Sequence, residues 1–172
     1  MSYSYRGLHT TASHMSTTYL AKHFHELHHG KNWTASSFKT HLADVDWKMA
    51  NTEIHGLNSI ATLIYHSGYY VEMQIRVLEG GPLVGNDKLS LEHAPITSEK
   101  EWQDLLATFW ANADKMHELL LVLDEELLDK PFVEEKYGNY RRNLQGMIEH
   151  SHYHLGQIVI LKKIIGAQDG GS

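Results

Sequence analysis

Histidine is the outlier of this sequence, with 14 copies among 172 residues. Spacing and facing select among them. His150 and His154 fall four apart in IEHSHYHLGQIVILKK, and on a helix such a pair lies only about 40° apart around the axis. Two imidazoles one turn apart can therefore reach one ion. Leu144, Met147, Ser151, Ile158, Leu161 and Ile165 trace an inner stripe, and both histidines fall along it. His152 lies about 160° from His154 on the same wheel and points elsewhere. A third histidine, His66, interrupts another inner stripe, after Leu63 and before Tyr70 and Met73. A single buried histidine is ordinarily satisfied by a hydrogen bond, whereas two stacked on one inner face are harder to satisfy that way. Three inward imidazoles from two helices can form a facial triad that leaves coordination positions open for water or substrate. On spacing alone, the competing reading is a set of buried histidines bonded to backbone, Tyr or Ser. Proton competition would weaken metal binding as pH falls through about 6.5.

A second pattern competes. His25-Glu26-Leu27-His28-His29 matches HExxH, in which two histidines bind zinc and the glutamate acts as base. Its context is wrong for a peptidase. The motif closes a first helix, Gly30 follows directly, and no third ligand stands at a recognisable spacing. A solvated helix end explains it better, since partly charged histidines suit the helix dipole there.

The elements that must carry these residues are helical. A first helix is expected over about Thr17 to His29, with Ser16, Thr17 or Thr18 as cap and Gly30 as stop. Short helical pieces follow between Lys31 and Gly56, started by Thr34, Ser36 or Ser37 and by Asp44 or Asp46. A long helix is expected over Leu57 to Leu78, where Leu57, Ile60, Leu63, Ile64, Ser67, Val71 and Ile75 recur at helical spacing. Gly80, Gly81 and Pro82 end it. Residues 80–98 form a loop long enough to be a crossover or part of a site. Ser98 with Glu101 makes a capping box for a third long helix, Glu99 to Glu126. Its inner stripe reads Leu105, Phe109, Asn112, Met116, Leu119, Leu120 and Leu123. After a connection over 129–142, the last helix spans Leu144 to Ile165, with Asn143 as cap and Gly166 at its end. Four amphipathic helices imply an all-α four-helix bundle, and the long second connection favours a crossover path.

Composition narrows the classes. The length suits one domain, placed at 15–168. Residues 1–14 read as an appended or disordered leader and 169–172 as a frayed tail. The absence of cysteine excludes disulfides, thiolate ligands and a cysteine nucleophile. A formal net charge of −6 without a basic cluster gives no electrostatic footprint for nucleic acid. No apolar run approaches the roughly 20 residues that span a bilayer, and no signal peptide is seen, so a cytoplasmic protein is expected. Trp33, Tyr70 and Tyr153 are candidates to line a pocket, although aromatics at helical spacing pack in cores more often. Gln157 could support a ligand or only pack against the neighbouring helix.

His150, His154, Gly156, Gln157 and Ile158 match, in order, the last-helix signature of the DinB/YfiT-like metalloprotein superfamily: histidine, three residues, histidine, one residue, then Gly-Gln and a hydrophobic residue. SIATLIYHSGYYVEMQ resembles that family's helix with its first ligand, His66, and GKNWTASSF with DVDWKMAN resembles its first connection. The resemblance spans about residues 17–165. It implies a four-helix bundle with a long crossover, commonly a homodimer. It also implies one divalent ion, such as zinc or nickel, on His66, His150 and His154. Characterised relatives activate a low-molecular-weight thiol for transfer or isomerisation, which here suggests an S-transferase acting on a small electrophile. A dication on three neutral imidazoles would lower the pKa of a coordinated water or thiol. A metal-dependent hydrolase of a small substrate and a noncatalytic metal-binding structural dimer are the alternatives. No catalytic side chain beyond the metal site is indicated.

Overall fold

The computed structural model describes residues 16–169. The leader expected over 1–14 and nearly all of the tail expected over 169–172 lie outside them. Six helices follow in order: α1 (Thr17–His29), α2 (Phe38–Leu42), α3 (Trp47–Asn51), α4 (Ile60–Leu78), α5 (Glu99–Val122) and α6 (Tyr140–Asp169). No strand occurs among the described residues. No helix among them is long and apolar enough to cross a membrane.

Side-chain caps set most of the starts. Ser16, Ser37, Asp46, Ser59 and Ser98 each accept from the backbone N–H three residues on, which satisfies a donor that the first turn leaves without a partner. Ser59 explains why α4 begins after Leu57, which is 54% exposed rather than part of the inner stripe. Ser98 accepts from Glu101 N–H as expected, while the Glu101 carboxylate reaches back one residue beyond the usual capping-box partner, to the N–H of Thr97 at 2.6 Å. Helix α5 stops at Val122, short of Glu126, because the Asp124 carboxylate accepts from Glu126 N–H and starts a separate 3₁₀ turn. Helix α6 starts earlier than expected. Asn139 does the capping assigned to Asn143, accepting from Arg142 N–H at 2.9 Å, while the Asn143 amide bonds back to the carbonyls of Tyr137 and Asn139. It also runs on through Gly166.

The four long helices form the bundle. α5 packs on α1 and α4, and α6 packs on α4 and α1. Around the bundle the order is therefore α1, α5, α4, α6, so the connections over 30–59 and 123–139 link helices on opposite corners. The loop over 79–98 joins neighbours and folds back on α4, which its 3₁₀ turn Leu89–Leu91 contacts. The stripe of α4 is buried as expected from Ile60 to Ile75, and so is the α6 stripe from Leu144 to Ile165. On α5 the buried set is Trp102, Leu106, Phe109, Ala113, Met116 and Leu120. This face is rotated from the expected one, and Leu105, Leu119 and Leu123 only flank the core. Trp102 explains the rotation: fully buried, it donates its indole N–H to the Val45 carbonyl at 2.8 Å and anchors the connection that carries α3.

Candidate metal centre

α4 and α6 lie side by side, and each turns histidine inward at the same level. His66 comes from α4; His150 and His154 come from successive turns of α6. His66 Nε2 lies 3.2 Å from His150 Nε2, and His154 Nε2 lies 2.9 Å from the same atom. The ligand atoms of all three lie within 4.8 Å of one another, and no other such histidine or carboxylate group occurs among the described residues.

The outer nitrogens fix which way the lone pairs face. Ser90 Oγ spends its proton on the Asp87 carbonyl at 2.6 Å, so it accepts from His66 Nδ1–H at 2.9 Å. Gln157 Oε1 accepts from His154 Nδ1–H at 2.7 Å, and the Gln157 amide donates to the Tyr153 hydroxyl at 3.2 Å. Both arrangements put the Nε2 lone pairs of His66 and His154 on the side of His150. A proton on His150 Nε2 can answer one of them well, but not both. A cation among the three nitrogens answers all of them. The donor set, three neutral imidazoles with the rear N–H groups of His66 and His154 held, is the one that divalent transition metals take.

Protonation supports the ligating form. Burial, together with the neighbouring His154 and His66, lowers the His150 pKa to about 4. Burial also lowers His66, against the Ser90 backbone bond that raises it. Burial likewise lowers His154, against the opposing bond from Gln157. The proton competition expected near pH 6.5 is thereby displaced downward.

Tyr70 packs edge-on against both His66 and His150, with ring centroids 5.0 and 4.9 Å away. Its hydroxyl donates to Asp87 at 2.8 Å, and burial followed by that bond raises its pKa. Tyr153 lies 5.0 Å from the His154 ring but is 63% exposed, so it borders the site. Trp33 is not brought there: it is 99% exposed on the connection after α1. An aromatic between Lys31-Asn32 and Thr34-Ala35 has no helical face to turn inward. Asp87 and Ser90 were not anticipated. Only the length of their loop pointed to the site, because its side-chain direction depends on the fold.

The remaining histidines sort as follows. His152 turns away from the triad and packs on His23 of α1 at 5.5 Å. In the HExxH run, His25 and His29 stack at 4.6 Å near the surface, and His29 Nε2 meets Asp114 at 3.1 Å. His28 departs from a solvated helix end. It is buried among Phe24, Phe38 and Phe109, donates to the Phe24 carbonyl at 2.8 Å, and its pKa is pushed down to about 3, chiefly by that burial.

The DinB superfamily matches residues 32–158, which include all three converging histidines. No curated protein and no solved structure matches the chain significantly. With a match over most of its length and the histidines of its expected signature gathered at one point, the chain belongs to the DinB superfamily.

Proposed function

We propose that this protein is a metal-dependent S-transferase that directs a low-molecular-weight thiol onto a small electrophile. The observation that carries the reading is the convergence of three Nε2 atoms, with the tautomers of His66 and His154 set from behind by Ser90 and Gln157. Zinc or nickel suits this donor set, and three protein ligands leave room for a further one. An ion held there supplies Lewis acidity and favours the thiolate over the thiol near neutral pH.

The protein's own groups have separate tasks. Ser90 and Gln157 hold the imidazoles in their ligating orientation. Tyr70 walls one side of the site, and its hydroxyl, held by Asp87, stays protonated as a donor beside the His66 and His150 rings. The absence of cysteine fits a thiol that arrives as substrate.

The test is metal analysis of the purified protein followed by a thiol-conjugation screen on the same sample. About one divalent ion per chain and metal-dependent conjugation are the expected results. A metal-loaded protein that conjugates no thiol from a broad panel would sink the transferase reading. Incorporation of solvent oxygen into product would instead establish a hydrolase. Metal that stabilises the fold while every activity screen stays silent would establish a structural metal protein.

A further inference from the structure

Arg142, Gly146 and His150 stand at successive steps of four along α6, so they share one face and span about 12 Å of axis. His66, Tyr70 and Gln74 keep the same spacing on α4. A cavity of about 480 Å³ opens here, lined by Tyr70, Gln74, Tyr137, Arg142, Gly146 and His150 among others. It runs from His150 of the triad to Arg142, about two turns of α6 away.

Two features of this groove lack a packing explanation. Glycine inside a helix costs about 1 kcal/mol relative to alanine, yet a side chain at Gly146 would meet nothing within 4 Å. The space above it is open, and the helix leaves it so between the cation and the histidine. The second feature is Arg142 itself. Arg76 pairs with Glu72, and Arg141 pairs with Asp129. Arg142 is the one arginine among the described residues without a carboxylate partner, in a chain whose net charge is −6. The other cation of the groove, Lys136, is already held by Glu134 at 3.0 Å and lies over the Tyr137 ring.

We infer that this groove binds a small molecule with a carboxylate at one end and a metal-ligating atom at the other, the carboxylate being held by Arg142. A planar guanidinium with its donors free matches a carboxylate in a two-pronged contact. The Arg142 side chain runs back toward Gly138, with Nη1 3.3 Å from where a Cβ on that glycine would sit, so the guanidinium lies farther from His150 than the backbone separation of about 12 Å, and the span suits an extended molecule of about tripeptide length. The inference rests on the metal reading of the triad.

Cobalt(II) loading tests it, because sulfur ligation to cobalt gives a charge-transfer absorption that reports binding without turnover. The cobalt-loaded protein is titrated with glutathione and with glutathione diethyl ester, which offers the same sulfur and amine with both carboxylates blocked. Glutathione is expected to bind at least ~10-fold more tightly than its ester, the scale of a charge-assisted hydrogen bond. Arg142→Gln is expected to bring that ratio close to one while cobalt stoichiometry stays unchanged. Gly146→Leu, which fills the trough with a better helix former, is expected to weaken both ligands with cobalt retained. Equal binding of acid and ester by the unmodified protein, or a ratio that survives Arg142→Gln, overturns the inference and leaves the metal reading standing. Failure to bind cobalt at all overturns both.

Discussion

At the scale of single residues, the site is decided by hydrogen bonds behind the ligands as much as by the ligands. His154→Ala removes one of three donors and should abolish stoichiometric metal binding while the helical circular dichroism is kept. Full metal content in that variant would disprove the assignment. Gln157→Leu and Ser90→Ala leave all three imidazoles in place but free the rear nitrogen of His154 and of His66 respectively. Each is expected to weaken metal affinity by about 10–100-fold, read by competition against a chromogenic chelator, with about one ion still bound at saturation. The convergence of His150 and His154 was legible in the sequence because a helix converts a spacing of four into a shared face. Gln157 was legible for the same reason. Ser90 and Asp87 were not, since a loop has no period from which to read where a hydroxyl or a carboxylate comes to lie. Trp33 shows the opposite error, an aromatic in a polar connection whose exposure no residue count reveals.

At the scale of elements, α1 carries a pH liability in its last turn. His28 sits neutral in an aromatic pocket with its pKa pushed down to about 3, whereas an unfolded chain titrates near 6.5. The unfolded state therefore takes up the proton first. This contribution to stability is complete above pH 6.5 and is lost as pH falls from there toward 3, on the order of 5 kcal/mol at the low end. Urea unfolding of the metal-free protein between pH 7 and pH 4 should show the loss, and His28→Leu should make it shallower, leaving the share of His66, His150 and His154. An equally steep pH dependence in that variant would refute the account. The ends of α1 and the start of α5 were legible because caps and stops are local, Ser16 and Ser98 above all. The face of α5 was not, since Trp102 is recruited by the distant Val45 carbonyl. The start of α6 was missed because Asn139 and Asn143 are equally good caps on paper.

At the scale of the whole molecule, an ion on the triad would join two neighbouring helices of the bundle and shift its folding equilibrium. A ligand at about 1,000 times its dissociation constant adds about 4 kcal/mol to stability. Calorimetry of the zinc-loaded protein before and after chelation is expected to show a melting temperature that falls on metal removal and recovers on reloading. An unchanged melting temperature would show that no ion bridges α4 and α6. The four-helix architecture itself was legible from four long amphipathic runs. The order of the helices around the bundle was not, because it is fixed by tertiary partners such as Lys162 of α6, which donates to the His41 carbonyl of α2 and pairs with Asp44 just beyond that helix.

The two sides of the triad come from positions 84 residues apart in the chain. Their meeting closes a long loop, so the complete donor set exists only after most of the bundle has assembled. An ion that binds so late acts on the finished molecule rather than on the route to it. Metal should leave the refolding rate almost unchanged and slow unfolding by nearly the whole of its stabilisation. Stopped-flow unfolding with and without zinc would then make the metal a brake on opening, with its effect measured as lifetime.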